Sequence, residues 1–197
     1  MSDKEWQGHQ VFEADWWGNC VNTFGEEAKQ VTYAHRLGII NDPRNGKWPF
    51  YDMRGRSVVD LGGGPVSMLL KCVDLGKGSS VVDPCEYPEW ISDRYRAAGI
   101  SYKRMPAEAF EETGFSEAWI YNVLQHVMDP EKIVHNAKKA ARVIRFFDWI
   151  DIPPHPGHPH ELKAAVLSKW LGGKGTVEEF NGENGLSGRA FYGTFVS

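Results

Sequence analysis

Residues 57–70 have the sequence SVVDLGGGPVSMLL, and this stretch gives the strongest indication of the fold. An apolar run that ends in an acidic residue and glycines is typical of a buried strand followed by a tight turn. Glycine tolerates unusual backbone angles and lets a ligand approach the main chain. Pro65 and Gly76 then predict the start and the end of a helix, whose first N–H groups are free to face a carboxylate or phosphate.

Apolar runs and helical patterns alternate on both sides of this turn. Strands are predicted at residues 57–61, 79–83, 100–105, 117–124, 142–150, 175–180 and 189–196. Further helices are predicted at residues 86–99, 129–141 and 161–173. Strands that alternate with helices form a doubly wound parallel sheet covered on both faces. We therefore expect an α/β, Rossmann-like, mostly parallel seven-stranded sheet with an antiparallel edge strand, because the last two runs read as a strand pair.

The composition excludes several classes of protein. A chain of 197 residues fits one domain, and its formal net charge of −4 gives no electrostatic footprint for nucleic acid. Cys20, Cys72 and Cys85 are too few and too far apart for a disulfide framework or a zinc ribbon. No window has the apolar length of a membrane span, and the N-terminus does not read as a secretory signal. We expect a cytoplasmic location.

Two other cofactor classes use a glycine-rich turn, and neither fits. The phosphate loop of nucleotide hydrolases needs a Gly-Lys-Ser/Thr string that is missing here, and the dinucleotide fingerprint needs glycine where Ser67 stands. Asp83 ends the next strand, where an acidic side chain can accept hydrogen bonds from both ribose hydroxyls of a nucleotide cofactor. A helix cap is the alternative role for Asp83.

The stretch 57–141 resembles the class I S-adenosylmethionine (SAM)-dependent methyltransferases, especially their small-molecule, type 11-like branch. The glycine turn VVDLGGGP, the acidic Asp83 and the string LQHVMDP at residues 124–130 match the motifs of that family. A third motif departs from the pattern, because Pro106 replaces the aspartate that usually binds the adenine amine. Glu108 or a backbone group would then take over that contact.

The resemblance implies SAM as the cofactor and assigns a role to each motif. Gly62 and Gly64 would lie under the methionine moiety, Asp60 would hold its ammonium group, and Asp83 would hold the ribose. Ala107 and Glu108 would border the adenine, and Asn122 and Val123 would lie near the sulfonium. The implied cofactor-binding residues are Asp60, Gly62, Gly63, Gly64, Asp83, Pro84, Ala107, Glu108, Asn122 and Val123.

Histidines are the candidate general bases. His126 follows the fourth strand, and the loop DIPPHPGHPHE at residues 151–161 carries His155, His158 and His160 after the fifth. Ligands of open α/β sheets bind at the carboxyl ends of the strands, and histidine titrates near neutral pH. Other roles stay open: a hydrogen-bonding role for His126, and for the loop a metal site with Glu161 or a plain surface loop. No metal ligand is assigned.

The segment before the first strand is predicted to be a helical lid. Over residues 16–37 one stripe is apolar, and the opposite one is polar but poor in charge, which favours directional hydrogen bonds over plain solvation. The lid residues would be Trp17, Asn19, Asn22, Thr23, Glu26 and Gln30. An ordinary exposed face is the alternative. We expect a single SAM-binding domain over 1–197, with residues 1–56 as helical cap and connecting loop and residues 57–197 as Rossmann-like core.

These features predict a SAM-dependent methyltransferase with a histidine base that methylates oxygen or nitrogen of a small-molecule or sugar/glycan acceptor. The signature of amino-group DNA methyltransferases is absent at residues 122–125, which read NVLQ. Two alternatives remain: an RNA or other nucleic-acid methyltransferase, and a SAM-binding protein without catalysis. Ser67 argues against a dehydrogenase, and no membrane partner is expected.

Overall fold

The computed structural model describes residues 3–42 and 49–197, and a seven-stranded sheet forms its centre. The strands of this sheet are β2 (Val58–Leu61), β4 (Ser80–Asp83), β5 (Ser101–Arg104), β6 (Phe115–Tyr121), β7 (Ala141–Ile150), β8 (Thr176–Asn181) and β9 (Ser187–Val196). A two-stranded sheet pairs β1 (Tyr51–Asp52) with β3 (Cys72–Val73). The helices are α1 (Asp3–Trp17), α2 (Phe24–Arg36), α3 (Glu89–Ala97), α4 (Pro130–Ala140) and α5 (Ala164–Leu171).

The strand order of the large sheet is β5-β4-β2-β6-β7-β9-β8. The first five strands in this order are parallel, and β9 is antiparallel to both β7 and β8. This arrangement confirms the predicted fold class, with its antiparallel addition at one edge. Because the chain winds outward in opposite directions from β2 and β6, a crevice opens at their carboxyl ends, where ligands of such sheets bind.

Alternating side chains along the buried strands build a core on each face of the sheet. Val59 and Leu61 of β2 belong to the cluster that includes residues of α4 and α5, whereas Val58 belongs to the cluster that includes residues of α2 and α3. Asp60 shares the face of Val58, since successive side chains of a strand point to opposite faces. This alternation places a carboxylate inside an apolar layer.

The predicted helix after β2 does not form. Two short 3₁₀ turns, Gly64–Val66 and Met68–Lys71, replace it and are followed by β3. Ser67 lies between them in an extended conformation, and its hydroxyl accepts from the backbone N–H of Leu69. The hydroxyl of Tyr95 accepts from the N–H of Ser67 and donates to the carbonyl of Gly64. These side chains take up the backbone groups that an α-helix would pair.

The single predicted helix over residues 16–37 is also wrong, because two helices meet at a break. Gly18 and Cys20, at φ +51° and +58°, turn the chain between α1 and α2. Three residues of the predicted apolar stripe face solvent, since Val21, Phe24 and Val31 are 72%, 76% and 43% exposed. The buried face of α2 instead contains Gln30, Thr32, Tyr33 and Ala34.

The predicted connecting loop between α2 and the sheet is partly regular. β1 lies within it, and Asn41 forms an antiparallel bridge with Tyr51. Residues 43–48 of this loop lie outside the described residues. Across the described ranges, no helix is both long and apolar enough to cross a bilayer.

A buried carboxylate joins the start of β6 to its neighbours. Glu117 is 2% exposed and forms ion pairs with Arg56 and Arg145, the latter at 2.6 Å between Oε2 and Nε. The indole Nε1 of Trp119 also donates to Glu117 at 2.9 Å. Burial alone would raise the pKa of Glu117, but the bonds from Arg145 and Trp119 hold it below its ordinary value. Glu117 is therefore ionised and fully paired at neutral pH.

We predict that Glu117→Gln lowers the free energy of unfolding by about 3 kcal/mol, because it leaves two arginines without their buried partner. Urea unfolding at neutral pH measures the change. Glu112→Gln is the matched control, since the Glu112 side chain is 55% exposed and pairs only with Lys103 among the described contacts. Its expected cost is about 0–1 kcal/mol. Equal costs for the two variants would contradict a structural role for the Glu117 cluster.

Candidate active site

A cavity of about 470 Å³ opens at the carboxyl ends of the central strands. Its floor comes from the loops after β2, β4 and β6, and its walls include side chains of α1 and of the loop after β7. Of the predicted cofactor-binding residues, those that line it are Gly62, Gly64, Asp83, Pro84, Ala107, Glu108, Asn122 and Val123. Asp60 and Gly63 do not line it. The predicted motifs therefore meet at this cavity, but two of their residues do not contribute to its lining.

Asp60 anchors the turn from beneath. It has no exposed surface, and its Oδ2 accepts from the hydroxyls of Ser67 at 2.5 Å and Tyr121 at 2.6 Å. A Cβ atom added at Gly63 would lie 2.6 Å from the same Oδ2, so Gly63 is needed for close packing against Asp60. Burial raises the pKa of Asp60 to about 7. This geometry does not support the expected contact of Asp60 and Gly63 with a cofactor.

Gly62 and Gly64 hold the main chain open at the floor of the cavity. Their φ angles of +83° and +61° lie in the left-handed region that other residues rarely adopt. A Cβ atom added at Gly62 would meet Val123 at 2.6 Å. The loops after β2 and β6 therefore touch where the strand order reverses, and glycine is needed for that approach.

Asp83 ends β4 and faces both the turn and the cavity. Its carboxylate accepts from the N–H groups of Gly64 and Cys85, each at 3.0 Å, and from the hydroxyl of Tyr87 at 3.1 Å. Burial raises the pKa of Asp83, although these donors oppose the shift. A carboxylate offers about four acceptor positions, so roughly one remains, on Oδ2. Asp83 can accept one further hydrogen bond, not the two expected from the sequence.

The remaining loops are held by carboxylates as well. Glu108 Oε1 accepts from the N–H groups of Met128 and Asp129, which ties the loop after β5 to the loop after β6. Asp148, which is fully buried in β7, accepts from the N–H groups of Val123 at 3.1 Å and Leu124 at 2.7 Å. Sequence reasoning missed Asp148, although an acidic residue within the apolar run RFFDWI was a visible signal.

Three of the four candidate histidines meet at the cavity. The rings of His126 and His158 lie 4.5 Å apart between centroids, and those of His155 and His158 lie 4.3 Å apart. His160 does not line the cavity, and its Nε2 lies 2.7 Å from the carbonyl oxygen of Val127. No group of histidine, cysteine, aspartate and glutamate side chains suited to a metal ion is found within the described ranges.

The histidines differ in their proton affinity. Burial disfavours a charged His126, but the carboxylate of Glu13, with Oε1 at 3.0 Å from Nδ1, raises the pKa of His126 above its ordinary value. Burial, followed by the charges of His126 and His155, lowers the pKa of His158 to about 4. At neutral pH His158 is therefore neutral, whereas His126 holds a proton more tightly than an ordinary histidine does.

The helix that covers the cavity is α1, which lies within the predicted helical cap of residues 1–56 but mostly before the stretch 16–37 that supplied the predicted lid residues. The side chains from α1 that line the cavity are Trp6, Gln10, Phe12, Glu13, Trp16 and Trp17. Sequence reasoning missed Trp6, Gln10, Phe12 and Glu13, because α1 has no regular apolar stripe to mark a contact face. The paired tryptophans at its end were the available signal.

The predicted lid residues divide into two groups. Trp17 and Glu26 line the cavity, whereas Asn19, Asn22, Thr23 and Gln30 do not. Gln30 is a buried brace, because its amide donates to the carbonyl of Val66 and accepts from Lys71. The hydroxyl of Thr23 bonds to Glu27 within the first turn of α2. The polar stripe thus serves local structure more than the cavity.

Solved structures of methyltransferases have this fold. The 1,6-didemethyltoxoflavin-N1-methyltransferase of Burkholderia thailandensis, with its namesake compound and S-adenosylhomocysteine bound, superimposes with a TM-score of 0.67 at 14% identity over 100% of this chain and 91% of its own. A SAM-dependent methyltransferase from Thermotoga maritima gives a TM-score of 0.56 at 14% identity over 98% and 93% of the two chains. The magnesium protoporphyrin IX methyltransferase of Synechocystis PCC 6803, with bound SAM, gives 0.54 at 13% identity over 91% and 82%.

No family model and no curated protein sequence matches this chain. The likeness therefore lies in the fold, which is that of the class I SAM-dependent methyltransferases, as the sequence motifs predicted. At such low identities the roles of individual residues must come from the geometry of this chain.

The raised pKa of Asp60 predicts a pH dependence of stability. Between about pH 4 and about pH 7 the unfolded carboxylate is ionised while the folded one keeps its proton, so the stability of the wild type falls as pH rises. Asp60→Asn removes this titration. The free energy of unfolding of the variant, relative to that of the wild type, should therefore rise by about 1.4 kcal/mol per pH unit across that window. Urea unfolding at several pH values measures it.

Asp74→Asn is the matched control for this series, because Asp74 is exposed and outside the cavity. Its stability should follow the wild type at every pH. Parallel pH curves for Asp60→Asn and the wild type would show that Asp60 is ionised in the folded protein, contrary to this prediction.

Proposed function

We propose that this chain is a SAM-dependent methyltransferase that acts on a small-molecule acceptor. The observation that carries the proposal is the convergence of Gly62, Gly64, Asp83 and Asn122 on one cavity, at the crevice where the strand order reverses. The methyltransferase fold of the chain supports the same function. The expected cofactor residues Pro84, Ala107, Glu108 and Val123 line this cavity too.

The residues present fit such a cofactor. The positive φ angles of Gly62 and Gly64 keep side chains away from the floor, so a ligand can approach the main chain. Asp83 has one acceptor position left for a ribose hydroxyl. Trp6 Nε1 is buried and has no hydrogen-bond partner within the described part of the chain, although its side chain lines the cavity. A bound ligand would satisfy this donor.

The bound cofactor supplies a methyl group that is already activated on a sulfonium. The protein must hold an acceptor atom in line with that methyl group and remove its proton where needed. Orientation of this kind contributes ~7–11 kcal/mol in favourable cases. In this chain the rigid loops held by Asp60, Asp83 and Asp148 supply that orientation, because each carboxylate fixes donors of a loop at the cavity.

The walls favour an uncharged acceptor with a flat apolar face. Trp16, Trp17 and Trp149 line the cavity, and aromatic rings stack on planar molecules. The charged wall residues are paired: Glu26 with Lys29 at 2.9 Å, and Glu13 with His126. Pairing leaves these charges poorly suited to a phosphorylated sugar or a nucleic acid. We therefore favour an aromatic small molecule over a glycan.

We assign the general base to His126. Its Nδ1 lies beside Glu13, which leaves Nε2 to take the proton of the acceptor, with the Nε2 atom of Gln125 3.5 Å away. His158 lines the same cavity but is a weak base, because its pKa is lowered to about 4. His155 stacks on His158, and His160 lies outside the lining. A positioned base contributes roughly 10²–10⁴-fold to the rate.

One prediction of the proposed function concerns the cofactor. The protein should bind SAM and S-adenosylhomocysteine, and Asp83→Asn should weaken both about tenfold or more, since a charge-assisted hydrogen bond is worth about 1.5–3 kcal/mol. Isothermal titration calorimetry measures both affinities, and thermal unfolding confirms that the variant folds. Asp93→Asn on α3 is the control, because Asp93 is exposed and does not line the cavity.

Binding of NAD without any binding of SAM would overturn the proposed function. Unchanged affinity in a folded Asp83→Asn protein would remove Asp83 from the cofactor site. Tight SAM binding without release of S-adenosylhomocysteine in the presence of a broad set of aromatic acceptors would favour a non-catalytic SAM-binding protein.

Another prediction of the proposed function concerns the acceptor. With S-adenosylhomocysteine present, the protein should bind 2-naphthol more tightly than methyl β-glucopyranoside, because the glucoside presents hydroxyls that the paired wall residues do not meet. Trp16→Ser should weaken naphthol binding about tenfold, given ~0.5–1.5 kcal/mol for ring stacking beyond burial. Ligand-observed NMR measures both probes. Trp90→Ser is the control, since Trp90 stacks on Arg94 outside the cavity. Preferred binding of the glucoside would contradict an aromatic acceptor.

A further inference from the structure

Glu13 and His126 come from distant parts of the chain and meet beside the cavity. Glu13 lies on α1, and His126 lies in the short 3₁₀ turn after β6. The Oε1 and Nδ1 atoms are 3.0 Å apart, and the two side chains are 18% and 20% exposed. A carboxylate next to one ring nitrogen of histidine sets which nitrogen carries the proton and orients the ring.

The groups that face His126 leave this role to Glu13. His158 contacts it from the loop after β7 and is neutral near pH 7, because its pKa is lowered to about 4. Asp148 acts on His126 from β7, but its carboxylate already accepts from the N–H groups of Val123 and Leu124. Within the described ranges, Glu13 is the carboxylate found at ion-pair distance from His126.

The position of Glu13 depends on how α1 is seated. The N–H of Gly157, in the histidine-containing loop 151–161 after β7, donates to Nδ1 of His9 at 3.3 Å. Gly157 has a φ of +93°, and a Cβ atom there would meet the Phe12 ring at 2.7 Å, so glycine is needed for this contact. The thiol of Cys85 donates to Gln10 at 3.2 Å. These contacts hold α1 against the loops after β4 and β7.

We infer that Glu13 is a positioning residue for His126. When α1 packs over the cavity, it brings Glu13 next to His126 and thereby makes His126 an effective base. This inference rests on the proposed function. With α1 in place, the Glu13 carboxylate at 3.0 Å favours the proton of neutral His126 on Nδ1, and Nε2, which has Gln125 at 3.5 Å, is left to accept a proton. As the bond from the acceptor atom to the methyl carbon forms and the carbon–sulfur bond breaks, the acceptor proton passes to Nε2. Glu13 balances the charge of the resulting imidazolium.

In this arrangement, removal of the acceptor proton requires that α1 is packed over the cavity. Without α1 the His126 ring loses the carboxylate that orients it and raises its basicity. A ligand-loaded cavity that is not covered would then lack an aligned base. The cap therefore contributes to the chemistry through Glu13, in addition to covering the cavity.

The decisive variant is Glu13→Gln, which keeps the length of the side chain and removes its charge. The pKa of His126, followed by NMR of the imidazole Cε1–H signal and assigned with His126→Asn, should fall by about one unit or more. Asp15→Asn is the matched control, because Asp15 is an exposed acid on the same helix. It should leave the pKa of His126 unchanged. Glu13→Asp should recover part of the shift.

Turnover gives a second measurement once an acceptor is in hand. In Glu13→Gln the lower limb of the pH profile should move to lower pH, and kcat should fall roughly tenfold or more while SAM affinity stays close to that of the wild type. A histidine pKa that is the same in Glu13→Gln, Asp15→Asn and the wild type would overturn the inference. The NMR measurement needs no cofactor, so it separates failure of this pairing from failure of SAM binding.

Discussion

The buried carboxylate of Asp60 is the interaction on which the site depends. It sits in an apolar layer at the end of β2 and accepts from the hydroxyls of Ser67 and Tyr121. One bond fixes the chain just after the glycine turn, and the other fixes the neighbouring strand β6. The turn can therefore stay open without a following helix, because the groups that a helix would order are held from below.

Two other buried aspartates also fix loops at this edge of the sheet by accepting hydrogen bonds. Asp83 holds the N–H of Gly64, and Asp148 holds the N–H groups after β6. Burial raises the pKa of all three carboxylates, so each lowers stability at high pH. At Asp83 and Asp148 the cost is offset by backbone donors that would otherwise be buried and unpaired, and at Asp60 it is offset by hydroxyl donors. The result is a rigid floor, which suits a reaction that depends on alignment.

The parallel sheet supplies the floor, and α1 supplies much of the wall. Among the described side chains of α1, Trp17 packs against one of the two large apolar clusters, while others line the cavity or contact Gly157 and His126. Fewer buried contacts make such an element the easier one to move. A helix with this placement completes the wall of the cavity. The polar contacts of Glu13, Gln10 and His9 favour one position of α1 on the loops around the cavity.

The sequence by itself determined the chain order of the seven strands of the large sheet, the position of the glycine turn and most of the loop residues at the floor of the cavity. These features depend on local rules: side-chain periodicity, glycine at positive φ and the handedness of crossovers. The tertiary structure decided what each polar group does. Asp60 and Gly63 face inward, the stretch after Gly64 is not a helix, and the cap is α1. Each depends on a contact between residues far apart in the chain, such as Tyr121 with Asp60 or Glu13 with His126, which no local pattern encodes.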